Sequence, residues 1–131
     1  FFGFTNCPDV CPTTLLEITN RIKDLGTAAN KLNYVFVTVD PKADTVDHLK
    51  TYLSNFDSRI IGLTGTEDEV NEIVARYRVV VQRVPTKAGY TINHTATTFL
   101  MDAQGRLAST LAYEESAAIQ LQKLKRLAGV E

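Results

Sequence analysis

The sequence predicts an α/β domain, a mixed central sheet flanked by helices, and three observations predict it. Strand-like and helix-like patterns alternate along the chain, with no Ser/Gly/Pro-rich linker, low-complexity run or internal repeat to divide it. The run Tyr34-Val35-Phe36-Val37-Thr38-Val39 is nearly continuous apolar and β-branched, the pattern of a central strand covered on both faces. The 131 residues are one domain's worth, enough to bury a core without metal or disulfide staples.

Each element follows from local pattern. Phe1 to Phe4 is an apolar run with no Met and no polar lead-in, and reads as the end of a buried strand. Residues 1–131 are therefore expected to be a single domain, incomplete at its N-terminal side. Pro12 suits the first turn of a helix, where its missing N–H is no loss. Leu15, Ile18, Ile22 and Leu25 then form one apolar stripe, and Gly26 is placed to end it. Asp40-Pro41 breaks the central strand. A second helix starts near Asp44 or Thr45, with Leu49, Tyr52, Leu53 and Phe56 inward. Ile60 to Leu63 is a short strand.

Thr66 and Glu69 make a capping-box pattern for a third helix through Val70, Ile73, Val74 and Tyr77. Val79 to Val84 reads as extended, and Lys87-Ala88-Gly89 as a loop. Tyr90-Thr91-Ile92-Asn93-His94-Thr95 reads as a further, polar loop. Ala96 to Met101 and Leu107 to Leu111 form a closing hairpin around Asp102-Ala103-Gln104-Gly105. Ser116 caps a last helix with Ile119, Leu121, Leu124 and Leu127 inward.

Composition narrows the function classes. Lys plus Arg number 14 against 15 Asp plus Glu, a net charge of −1. That balance gives no clustered positive charge for nucleic acid or for an anionic membrane surface. No stretch approaches the roughly 20 apolar residues of a membrane span. A membrane connection is expected only through an N-terminal anchor outside this chain. No phosphate-cradling Gly-rich loop and no G-x-S-x-G elbow is present.

The chemistry sits in Cys7-Pro8-Asp9-Val10-Cys11, between the first strand and its helix. Unpaired N–H groups and the helix dipole at such a place favour thiolate over thiol. Thiolates attack disulfides and bind soft metals, so redox and metal chemistry are both open. A structural disulfide, or two unrelated buried thiols, is the plainer reading. Asp9 is as readily a turn residue as a partner contact, and Asp40 and Asp44 read as strand-end and helix-cap residues.

A cysteine pair between a first strand and its helix, in this order of elements, resembles a thioredoxin-like domain. The segment before the Ala96 strand faces the cysteine loop in that fold and carries a cis-proline in thioredoxins. Here prolines stand only at 8, 12, 41 and 85, and His94 lies in that neighbourhood. The other histidine, His48, sits within the second helix and reads as a solvated surface residue.

Four segments, in order, are similar to those of the Sco (SenC) family of copper chaperones. They are Phe1 through Leu15 around the cysteines, Val39-Asp40-Pro41-Lys42-Ala43-Asp44-Thr45, Ile61-Gly62-Leu63-Thr64-Gly65, and Tyr90 through Thr95 running into Phe99-Leu100-Met101-Asp102. The resemblance implies that Cys7, Cys11 and His94 hold one copper ion, Cu(I) or Cu(II). Two thiolates select soft Cu(I), and an added imidazole lets the site retain Cu(II). It also implies a role in assembling the copper centre of cytochrome c oxidase. The partner would be an oxidase subunit or another copper chaperone. The location would be the periplasmic side of a bacterial inner membrane, or the mitochondrial inner membrane facing the intermembrane space.

Asn6 stands where many relatives have His, and Asn93 where many have Asp. Neither change removes a ligand, but the second takes a negative charge from beside the metal. The rival enzymatic reading is a thiol–disulfide oxidoreductase with Cys7 and Cys11 as its catalytic redox pair. A peroxidase ranks lower, since the chain has no Trp. An inert interaction module with a structural disulfide is the remaining alternative.

Overall fold

In the computed structural model, residues 1–7, 10–86, 89–94 and 96–130 are described, with the backbone alone for 89–94. Strand β1 (Phe2–Gly3) leads to helix α1 (Val10–Leu25), which a 3₁₀ segment (Gly26–Lys31) joins to β2 (Tyr34–Thr38). Helix α2 (Val46–Leu53), strand β3 (Ile60–Leu63) and helix α3 (Glu67–Arg76) follow. The chain continues through β4 (Val81–Thr86), β5 (Gly89–His94), β6 (Thr98–Met101) and β7 (Leu107–Leu111) to helix α4 (Ala117–Leu127). Among the described residues no helix is long and apolar enough to cross a membrane.

Strands β1, β2 and β3 form a parallel sheet in that order, with Phe2 beside Val37 and Tyr34 beside Ile60. The antiparallel strands are separate: β4 pairs with β5, and β6 with β7. Parallel and antiparallel pairing are thus both present, but divided among three sheets rather than joined in one.

Helix α1 is the stripe the sequence describes: Cys11, Leu15, Ile22 and Leu25 are buried along one face, with Ile18 partly so. Leu15, Ile22 and Leu25 pack with Phe36, Leu49, Leu53, Leu100 and Leu124 into the main core. A smaller cluster of Phe2, Phe4, Cys7, Cys11, Val39 and Val79 lies at the C-terminal ends of β1 and β2. The second cluster holds both cysteines, so it positions the site.

Thr45 caps α2 by accepting from the His48 N–H, and the Thr66–Glu69 capping box of α3 is formed in both directions. At the end of α3, Arg78 takes φ 54°, and the Val79 N–H donates to the Val74 carbonyl at 3.0 Å. That left-handed cap turns the chain out of the helix and into the buried Val79.

Two readings need correction. The central strand is covered fully on one face only: Tyr34, Phe36 and Thr38 are buried, whereas Val35 is exposed. Val35 and Val37 line an open apolar groove of about 620 Å³ with Phe99 and Leu100. The polar segment before Thr95 is a strand, not a loop. Its backbone pairs residue for residue with β4, from Thr86 beside Gly89 to Val81 beside His94. The alternation of Tyr90 and Ile92 with Thr91 and Asn93 is the period-2 signal for it, outweighed by its polarity.

Candidate functional site

The cysteine corner is built on close packing. Gly3 lets α1 approach β1: a Cβ there would stand 2.7 Å from the Cys11 Sγ and 2.7 Å from the Phe36 ring. Cys11 is accordingly 0 % exposed and Cys7 9 % exposed, and neither is in a disulfide. The Cys11 N–H, in the first turn of α1, donates to the Cys7 Sγ at 3.3 Å. The helix's positive end is therefore aimed at Cys7.

The two sulfurs differ in electrostatics. The Cys11 thiol is pushed far above the ordinary range, first by its hydrogen bond with Cys7 and then by burial. The backbone at Phe4 opposes this, and the nearby Cys7 and Asp44 add to it. The expectation that the helix start would lower the thiols therefore fails for Cys11. That sulfur sits inside the core, and the helix N–H serves its neighbour instead. The Cys11 N–H thus supports Cys7, the more exposed of the two cysteines.

Beneath the loop lies a carboxylate that the sequence reading took for a helix cap. Thr45 is the cap; Asp44 is 0 % exposed and gathers hydrogen bonds. Its Oδ2 accepts from the Thr5 N–H at 3.0 Å and from the Thr38 hydroxyl at 2.7 Å, and its Oδ1 accepts from the Thr5 hydroxyl. Thr38 in turn accepts the Asp40 N–H at 3.0 Å. Asp44 thus ties the segment entering the cysteine loop to the end of β2.

His48 also reaches this network. Its Nε2 lies 2.9 Å from Thr5 Oγ1. Because the Thr5 hydroxyl hydrogen goes to Asp44, the imidazole N–H is the donor and Thr5 the acceptor. His48 is exposed, as the sequence suggests, but it touches the residue two before Cys7.

Asp40 is a strand-end residue, as read, but 1 % exposed and paired with Arg83 of β4 at 3.3 Å. Two residues along β4, Val81 packs against the cluster containing Cys7 and Cys11. Val81 is also the cross-strand partner of His94. The fold thereby brings the backbone of His94 to a register position beside the cysteine cluster. The His94 side chain, Asp9 and Pro8 of the cysteine loop, and Lys87-Ala88 lie outside the described residues. Among the described residues no group of three or more His, Cys, Asp or Glu side chains converges as a metal site would. Phe99 packs against the cysteine cluster, with its ring 5.9 Å from Phe2 and 5.6 Å from Tyr77.

The signal for the missed residues was present as spacing. Asp40 and Asp44 follow the central strand at an interval of four. What the sequence lacked was the contact of that segment with Thr5, which is 39 residues away from Asp44.

Comparison with known proteins shows the family and the fold. The SCO1/SenC sequence model matches residues 1–129. A SCO2-like protein of Rickettsia prowazekii is 41% identical over 109 residues, covering 81% of this chain and 53% of that protein. The chain thus spans about half the length of the curated relatives it matches first. Bradyrhizobium japonicum ScoI with copper bound superposes with a TM-score of 0.89 at 43% identity, covering 97% of this chain and 82% of that one. Yeast Sco1 with copper bound gives 0.87 at 32% identity, covering 100% and 75%. The neighbours' thioredoxin-like fold is the one the element order implied.

Proposed function

Because this chain belongs to the SCO1/SenC family, we propose that it is a copper metallochaperone domain whose ion is held by the Cys7 and Cys11 sulfurs and the His94 imidazole. The observation that carries this is the double role of Val81. It packs on the cluster of the two cysteines, and it is paired across the ladder with His94. The donor set fits the cargo: two thiolates select Cu(I), and an imidazole adds a ligand that also suits Cu(II). Copper-bound relatives at 43% and 32% identity support the same reading.

In this mechanism Cys7, held by the Cys11 N–H, meets the incoming ion first, and Cys11 gives up its proton as it joins. Proton release makes loading pH-dependent. Delivery proceeds by ligand exchange to thiols and imidazoles of a partner. Oxidation of the pair to a disulfide, with two electrons passed to an oxidant of the compartment, removes both sulfur donors.

The Sco family is one of cytochrome c oxidase assembly proteins, so the proposed partner is an oxidase subunit with a copper site or another copper chaperone. The proposed location is the periplasmic face of a bacterial inner membrane, or its mitochondrial equivalent, with a tether outside this chain.

Copper titration of Cys7→Ala, Cys11→Ala and His94→Ala tests the ligand set. Each variant is expected to lose tight stoichiometric binding of at least one oxidation state. Retention of parental affinity for both Cu(I) and Cu(II) removes that residue from the set.

The asymmetry of the sulfurs favours one second reading, a thiol–disulfide oxidoreductase. One more accessible sulfur at a helix start beside one buried thiol is the arrangement of an attacking and a resolving cysteine. Disulfide-reducing activity that survives His94→Ala, in a protein that takes up no copper, would establish it.

A further inference from the structure

The ion pair between Asp40 and Arg83 crosses from the end of the parallel sheet's central strand to the hairpin carrying His94. We infer that Arg83 is a positioning residue for the imidazole, fastening the β4–β5 hairpin against the end of β2 so that His94 meets the two sulfurs. This rests on the reading of His94 as a copper ligand.

Three observations carry it. Asp40 is 1 % exposed, so its charge lies where an ion pair is little screened, whereas Arg83 is 46 % exposed and reaches inward from the surface. Asp40 is itself fixed, since its N–H donates to Thr38 Oγ1 and Thr38 donates to the buried Asp44. The anchor is therefore continuous with the network that holds the cysteine loop through Thr5. Finally, β4 offers the core little else: Val81 and Val84 are half-buried, and Gln82, Arg83, Pro85 and Thr86 are exposed.

A hairpin of two strands is marginal by itself. Apolar contact through Val81 gives attraction without fixed direction. A guanidinium on a buried carboxylate adds both distance and orientation. Arg83 stands across from Ile92, two positions from the Val81–His94 pair. Pinning it sets the place of the whole rung without Arg83 touching the metal.

The test compares the full chain with its Arg83→Gln, Arg83→Lys and His94→Ala variants. Cu(II) alone and Cu(I) alone are the probes, and thermal melting checks the fold. His94→Ala defines the complete loss of the imidazole nitrogen from the Cu(II) electron-spin resonance spectrum. Arg83→Gln is expected to weaken that nitrogen signature and lower Cu(II) affinity about 10- to 100-fold. Cu(I), held by two sulfurs, is expected to lose less. Arg83→Lys, which keeps the charge but not the planar fork, is expected to recover part of both. A uniform loss of both oxidation states, unrecovered by Lys, would mean a merely structural role and overturn the inference. A parental spectrum and affinity in Arg83→Gln, while His94→Ala shows the loss, would overturn it too and leave the ligand reading standing. A parental spectrum in His94→Ala itself would bring down the ligand reading, and the positioning role with it.

Discussion

Cys7 and Cys11 lie at a corner packed into the smaller apolar cluster, with a fully buried carboxylate and three hydrogen bonds beneath the loop that bears them. His94 comes to the same corner on a two-stranded hairpin joined to the body through Val81 and the Arg83–Asp40 pair. The sulfurs are thus preorganised by the core, and the backbone of His94 is carried on a hairpin whose charged anchor has one exposed partner. For the copper chaperone proposed above, such a division has a consequence. The proposed His94 ligand, on the weaker attachment, would leave first while the sulfur pair stays intact. Local opening free energies are lowest where buried apolar contacts are fewest.

The sharpest way to break this contrast is to remove the carboxylate under the cysteine corner. Asp44→Ala leaves the part-buried Thr5 N–H and hydroxyl and the fully buried Thr38 hydroxyl without their acceptor. Hydrogen bonds to a charged group contribute about 1.5–3 kcal/mol each, not additively, so a stability loss of at least about 3 kcal/mol is expected. Urea denaturation of the reduced, metal-free protein measures it. A loss below about 1 kcal/mol would mean that the corner is held by apolar packing alone, and the contrast with the hairpin would shrink accordingly.

Alkaline pH separates the two regions next. The folded state raises the Cys11 thiol above its ordinary value of about 8.5, through Cys7 and burial. The unfolded chain therefore releases this proton at lower pH than the folded one. The stabilisation is complete below about pH 8.5 and is lost as pH rises above it, by about 1.4 kcal/mol per pH unit. Burial raises the Tyr52 phenol as well, but its ordinary value lies near 10, so it joins only at the upper end. Neither group lies on the β4–β5 hairpin, so the slope reports on the body that holds the cysteine corner. Denaturant midpoints of the metal-free reduced protein between pH 8 and 10 should fall along this slope. Cys11→Ser should flatten it; an unchanged slope would place the titrating group elsewhere.

How much of this was legible in the sequence follows from the range over which each feature is determined. Helices α1, α3 and α4 were readable because an apolar stripe and a cap lie within one segment, as in Leu15, Ile22 and Leu25 or Thr66 with Glu69. The cysteine pair was readable for the same reason. The state of Cys11 was not. Its burial depends on Gly3 and on Phe36, a residue of another strand, and the helix dipole alone gave the wrong sign. Strand β5 was missed because its partner, not its own polarity, makes it a strand: six residues of β4 supply the ladder. Asp44 and Asp40 were visible as a spaced pair. Their roles needed Thr5 and Arg83, which no local pattern connects to them.

The smallest expected effect concerns His48, which read as an ordinary surface histidine and yet donates to Thr5 Oγ1 at 2.9 Å. If the cysteine corner is rigid because Asp44 holds Thr5 from below, an exposed imidazole bonding the same oxygen from outside adds little. Removing it leaves Thr5 able to take a water as donor in place of the ring, and the Thr5–Asp44 bonds remain. His48→Ala is therefore expected to cost less than about 1 kcal/mol in urea denaturation, and to leave Cu(I) affinity within about fivefold of the parent. The comparison with Asp44→Ala decides where the support comes from. A loss in His48→Ala approaching that of the carboxylate variant would shift the anchor of the cysteine loop from the buried floor to helix α2. The corner would then depend on a group open to solvent, much as the hairpin depends on Arg83.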